Sequence, residues 1–346
     1  MSSAKKPLTV LIVGAGIAGL STAIALRRAG HQVEVFEQSS FADEVGAAIQ
    51  LPPNAMRTVV KWGFSKDRAR LELCGAALTA RADNLEPLYK GSFSHFSDKY
   101  GSMWYSSHRV DLHNELKLLA TEENASGIPV KINLASKVAD IGPRVADIYS
   151  GEVQNFVGIH PDEEQRREDF QASSSREYLL ETYKDFNPVL LRVMEKVKDV
   201  KLWPLLHRPP LRTWHTERLL FIGDAAHPML PHADQGQAGA QAIEDACALG
   251  LLLEGIESAD VNSRLKLFEK VRIGRAGAVQ IFSRYGQDQA DKVKQEVEKI
   301  EGWKGAVPAN QGEFHDWNFS WDVYSECQRA LDDERLEKDN EKDKGT

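Results

Sequence analysis

Residues 8–13, LTVLIV, form an unbroken run of β-branched and leucine side chains. That pattern predicts a strand buried on both faces, as in a parallel sheet. GAGIAG follows, and then a stretch, 17–28, with apolar positions at helical spacing and a glycine stop at Gly30. Residues 32–36, QVEVF, alternate and predict a second strand, so the chain opens with a β–turn–α–β crossover. Residues 41–66 are mixed, with a turn-forming LPPNA at 51–55. RVDLHNELKLLAT, 109–121, predicts an amphipathic helix, and 128–140 a strand and turn. A strand is expected at 151–160, partial helix within the polar stretch 161–186, and a helix over 188–200 with proline at its start. RLLFIG, 218–223, again has the pattern of a buried strand; helices follow at 238–254 and 262–287. From 332 on, seven acids and four bases surround one leucine, which predicts a solvated, frayed end. Strands alternating with helices define an α/β protein.

Composition narrows the function classes. The 346 residues suffice for about two domains or for one large α/β domain with an appendage. With 42% apolar and 27% charged residues the chain is globular in type, not globally disordered. The net charge of −8 argues against nucleic acid as the main partner. Cys74, Cys247 and Cys327 are far apart and form no CxxC pair, so neither a disulfide framework nor a zinc site is expected. A reducing, cytoplasmic setting fits. The N-terminus lacks the long apolar stretch of a signal peptide, and no run approaches a membrane span. No metal is expected.

Two motifs carry chemistry. In GAGIAG, Gly14 permits a tight turn, Gly16 lets the backbone approach a pyrophosphate, and Gly19 lets helix and strand pack closely. The helix start offers N–H groups and a positive dipole end to phosphates. Glu37 ends the second strand, where a carboxylate accepts from ribose hydroxyls. This pair predicts a dinucleotide, FAD and NAD equally. The second motif, RLLFIGDAAHPMLPHADQGQAGAQAIEDA at 218–246, delivers Gly223 and Asp224 at the end of a strand. Asp224 suits the ribityl chain of a flavin. Small residues from Ala225 to Ala240 let a helix start close to a flat ring.

On these residues the chain resembles the FAD-dependent aromatic monooxygenases of the p-hydroxybenzoate and salicylate hydroxylase type. GDAAHPMLP carries the resemblance most specifically. VGAAIQLPPNA at 45–55, Arg109 in HRVDLHNEL and VRIGRAGAVQIFSR at 271–284 extend it, as do 152–161 and 202–214. The resemblance implies an FAD-binding Rossmann-type (GR2-like) fold with a reduced substrate domain and a helical C-terminal part. It implies FAD contacts from Gly14, Gly16, Gly19, Glu37, Gly46, Ala48, Arg109, Asp224, Gly236 and Gly239. It further implies NAD(P)H as co-substrate, molecular oxygen, and hydroxylation of a small aromatic or polyketide-like substrate in secondary metabolism. The FAD-binding domain is then discontinuous, 1–145 with 215–290. A substrate-domain remnant spans 146–214 and a charged extension 291–346.

The chain also departs from that pattern. The family's Asp-Gly motif has no counterpart, since no Asp-Gly dipeptide occurs. Val145-Ala146-Asp147-Ile148 resembles the opening of that strand, and the next stretch resembles a much later one. Only 115 positions separate Arg109 from Asp224. GQAG replaces the related GQGG at 236–239. Three readings follow: a minimal working monooxygenase, a flavin-binding relative without hydroxylase activity, or a chain that has lost an internal segment, for example through a misplaced exon boundary. A plain NAD-dependent dehydrogenase accounts for 8–37 but not for GDAAHPMLP. No catalytic side chain is assigned. His227 is expected to position its turn rather than act as a base. His232 lies nearer the expected flavin edge and carries no role. Tyr149 is unassigned. Trp203, Trp214 and Trp303 read as core or interface aromatics, and Cys247 as a small buried hydrophobe.

Overall fold

A computed structural model describes residues 6–40, 48–123, 125–136, 172–197, 200–202, 207–230, 237–285, 289–300, 303 and 305–344. In chain order the elements begin with β1 (Thr9–Val13), α1 (Ile17–Arg28), β2 (Gln32–Phe36), β3 (Ala48–Leu51), α2 (Pro53–Lys61), β4 (Glu72–Leu73), β5 (Ala76–Ala80) and β6 (Pro87–Ser92). Next come α3 (Phe96–Tyr100), β7 (Tyr105–His108), α4 (Arg109–Thr121), β8 (Lys131–Asn133), β9 (Ala172–Ser174), α5 (Arg176–Thr182), α6 (Pro188–Met194) and β10 (Val200–Leu202). The C-terminal half adds β11 (His215–Thr216), β12 (Leu219–Leu220), α7 (Gln237–Leu253), α8 (Val261–Phe282), α9 (Ala290–Val297), α10 (Gln311–Ser320) and α11 (Val323–Lys344).

The opening crossover forms as expected. β1 and β2 pair in parallel with Ile12 opposite Val35, and β2 pairs in parallel with β8. The sheet order is β1-β2-β8. α1 packs between this sheet, α4 and the small-residue face of α7. Leu20, Ile24, Val35, Leu116, Ala246 and Leu252 form the centre of the core. Arg27, fully buried, fixes α1 to α4: its guanidinium donates to the carbonyls of Ala120 at 2.9 Å, Glu122 at 2.6 Å and Gly127 at 3.1 Å. It thereby satisfies carbonyls that the helix end leaves open and complements the negative end of the α4 dipole.

The expectation that 8–13 is buried on both faces fails. Ile12 is in the core, but Leu11 is 64% and Val13 61% exposed. Alternate side chains of a strand face opposite ways, and among the described residues only the α1 side of the sheet is covered. The expected buried strand at 218–223 is also corrected. Only Leu219–Leu220 is extended, it pairs antiparallel with β11, and Leu219 and Phe221 are exposed. Both segments follow the same alternation: Ile12, Leu220 and Ile222 pack on the core, while Leu11, Val13, Leu219 and Phe221 point to the other, exposed side.

Smaller differences follow local rules. LPPNA is the start of α2, with Pro52 as N-cap and Pro53 in the first turn, where proline's missing N–H costs nothing. The helix expected at 188–200 ends at Met194, and that at 262–287 ends at Phe282. The acidic tail is helical rather than frayed. Glu326–Arg329 at 2.8 Å and Glu334–Lys338 at 3.0 Å are neighbours along α11, and Arg264 of α8 pairs with Glu334. The strand expected at 151–160 lies outside the described residues. Sequence patterning did not predict the β3-β7-β4 sheet or the β5-β6 hairpin.

Candidate functional site

The glycine loop joins β1 to α1. Gly14 has φ +92°, in the region that favours glycine, and its N–H reaches the Phe36 carbonyl at 2.8 Å. A Cβ on Gly19 would stand 1.9 Å from the Gly14 carbonyl oxygen, so only glycine lets helix and loop approach. Gly16 differs: a Cβ there would meet nothing within 4 Å. Packing does not require that glycine, and the space it leaves lies at the N-terminus of α1. The first turn of α1 has no side-chain cap and no acidic residue, so its N–H groups and the helix dipole face that space.

Glu37 closes the same loop. Its Oε2 accepts the Ala15 N–H at 2.8 Å and its Oε1 the Ser39 N–H at 2.8 Å. A carboxylate has about four acceptor positions, so both oxygens keep capacity for a ligand. His113 Nε2 lies 2.7 Å from the Ala15 carbonyl and ties α4 to the loop. Arg109 stands one turn earlier on α4, on the same side of the helix. The β3–β7 register sets Ala48 opposite His108, next to Arg109.

The C-terminal half arrives from the other side. Gly223–Ala225 is a single 3₁₀ turn with Gly223 at φ +56°. A Cβ on Gly223 would lie 2.7 Å from the Ala18 Cβ, so this turn rests directly on the first turn of α1. Asp224 is exposed and makes no hydrogen bond among the described residues. A Cβ on Gly239, near the start of α7, would lie 3.3 Å from Ile49 of β3 and 3.9 Å from Ile17 of α1. The fold thus brings Gly14, Gly16, Gly19, Glu37, Ala48, Arg109, Asp224 and Gly239 to one end of the sheet. Gly46, Gly236, His232, Tyr149 and Trp203 lie outside the described residues.

Behind the turn lies a buried ion network that sequence reasoning missed. Arg272 binds Glu244 at 2.6 Å and Asp245 at 2.9 Å; Arg275 binds Glu244 at 2.7 Å. All four side chains are almost wholly buried. Asn54 of α2 donates to Glu244 at 2.7 Å, and Asn318 of α10 accepts from Arg275 at 2.9 Å. Asp245 Oδ2 also takes the Gly223 N–H at 3.0 Å and lies 2.6 Å from His227 Nε2. Burial works to raise the pKa of both acids, but Arg275 and Arg272 around Glu244, and His227 and Arg272 around Asp245, hold them below the ordinary carboxylate range. The sequence carried one usable signal. Adjacent acids within the otherwise small, apolar α7 need buried partners, and Arg272 and Arg275 recur at helical spacing on α8.

The remaining candidates fall into the core. His227 is 1% exposed, held by Asp245 and packed on Trp214 with ring centroids 5.0 Å apart, as a positioning residue would be. Trp303 packs on Trp317 at 5.3 Å. Burial pushes the Cys247 thiol up to about 12, so it is a neutral core group. Among the described residues no cluster of metal-ligating side chains occurs and no helix is long and apolar enough to cross a membrane.

A parallel β–α–β unit, a glycine-lined helix start and a carboxylate at the end of the second strand define a dinucleotide-binding α/β protein. The model of the FAD binding domain matches residues 105–282, and that of the FAD dependent oxidoreductases residues 9–155. The chain is 29% identical to the FAD-dependent monooxygenase cfoG of Aspergillus candidus, covering 91% of this chain and 93% of that protein. It is 27% identical to hispidin-3-hydroxylase of Neonothopanus nambi, covering 80% and 87%. Among solved structures, a salicylate hydroxylase substrate complex superposes with a TM-score of 0.63 at 18% identity over 94% of this chain and 98% of that one. The chain belongs to the FAD-dependent aromatic monooxygenase family. The match to cfoG runs over 414 residues, more than this chain contains, so the relative has residues without a counterpart here.

Proposed function

We propose that this chain is an NAD(P)H-consuming monooxygenase that hydroxylates a small aromatic or polyketide-like molecule. The convergence of two distant motifs on one end of the sheet carries the reading: GDAAHP rests on the helix that GAGIAG begins. The open space at Gly16 and the uncapped α1 start suit a pyrophosphate. Glu37 keeps acceptors for ribose hydroxyls, Arg109 stands beside the loop, and the exposed Asp224 suits the ribityl hydroxyls. Ala48 and Gly239 bring backbone close to where the ring would lie. The same reading gives Gly46 and Gly236 to this cofactor shell. When bound, FAD supplies the electron transfer and oxygen activation. The protein contributes binding, orientation and exclusion of water. The names of the relatives, hispidin-3-hydroxylase among them, support an aromatic substrate.

A second reading, a flavin-binding protein without hydroxylase activity, is favoured by one observation. The uncovered face at Leu11 and Val13 shows that the described structure lacks cover which a complete sheet would have. NADH or NADPH oxidation by FAD-loaded protein, followed with and without a panel of phenols, separates the two. Oxidation that rises with a phenol, with oxygenated product, supports the monooxygenase. Flavin binding with no phenol-dependent turnover supports the second reading.

A further inference from the structure

Asp224 lies in a turn of three residues, and among the described residues its carboxylate makes no hydrogen bond. Its direction is set by the backbone around it. The turn closes on the Gly223 carbonyl, which accepts the N–H groups of Ala226 and His227, both at 2.8 Å. The two ends of the turn are then held by a single oxygen. Asp245 Oδ2 takes the Gly223 N–H at 3.0 Å and the His227 ring at 2.6 Å, while Oδ1 is anchored on Arg272 at 2.9 Å. On the outer side Arg208 donates to the Ala225 carbonyl at 2.7 Å and the Ala226 carbonyl at 3.1 Å. The neighbouring Glu244 divides the labour. It binds Arg272, Arg275 and Asn54, and among the described residues makes no hydrogen bond to the turn.

We propose that Asp245 is a positioning residue for the cofactor, holding the Gly223–His227 turn so that Asp224 faces the flavin's ribityl chain. This rests on the FAD reading above. Glu244, by contrast, joins α2 to α8, with Arg275 carrying the link on to α10, and serves stability alone. The two adjacent acids therefore have separable effects, one on affinity through Asp224 and one on folding.

A double-mutant cycle on FAD dissociation constants, read by flavin fluorescence, tests this. Asp245→Asn is expected to weaken FAD binding about tenfold in the native background and by little when Asp224 is already alanine. Asn54→Ala, which touches the network through Glu244, is expected to lower the thermal midpoint and leave FAD affinity unchanged. If Asp245→Asn fails to fold cooperatively, His227→Gln enters the same cycle with the same expected loss of effect in the Asp224→Ala background. Equal fold-losses in both backgrounds overturn the proposal while leaving the FAD reading intact. A native chain that takes up no FAD overturns both.

Discussion

Gly19 and Gly16 show how similar residues in one motif answer to different demands. Gly19 is required by the protein itself, since a Cβ would stand 1.9 Å from the Gly14 carbonyl oxygen. Gly19→Ala is expected to cost about 1–3 kcal/mol in urea unfolding, with or without cofactor. At Gly16 a Cβ meets open space, so Gly16→Ala should leave apoprotein stability within about 1 kcal/mol and act on FAD affinity. A loss of stability at Gly16 equal to that at Gly19 contradicts this division. Asp224→Ala removes an exposed carboxylate and should weaken FAD binding roughly tenfold, as loss of a hydrogen bond to a charged group does, without lowering the apoprotein's thermal midpoint.

At the scale of elements, what could be read from the sequence depended on how local its cause was. α1, β2 and α4 were legible because their apolar positions recur at a fixed spacing within each segment. GAGIAG and Glu37 were legible because a tight turn and a helix start dictate residue types. The Asp245–His227 and Glu244–Arg275 contacts were not, since they join residues on different elements and only the fold supplies the pairing. The network makes an acid-stability prediction. Asp245 and Glu244 have depressed pKa values when folded, so the stability they contribute is present above the unfolded carboxylate value, about 4, and is lost as pH falls through their lower folded values. The thermal midpoint should therefore change little through them from pH 7 to 5 and drop below about pH 4. Arg272→Met leaves two acids with fewer partners and should cost about 3–5 kcal/mol in denaturant unfolding at pH 7. A steep loss between pH 7 and 5 that Arg272→Met leaves unchanged would place the acid sensitivity elsewhere.

For the whole molecule, the uncovered side of the sheet is the main departure from expectation. The LTVLIV pattern predicts a strand buried on both faces, but the described fold covers only one. The absent Asp-Gly motif and an alignment longer than the chain both fit an interior shorter than that of the relative. Exposed Leu11, Val13, Leu219 and Phe221 are expected to bind a hydrophobic dye and to promote concentration-dependent association. Leu11→Thr with Val13→Thr should reduce both with little loss of stability; unchanged dye binding would show that this face is covered in solution. The account's central claim is that the cofactor site forms despite the shortened interior. Its most direct test is the visible absorption spectrum of the purified chain after incubation with FAD and gel filtration. Flavin bands at about one per chain are predicted. A soluble, folded protein that emerges colourless contradicts the account.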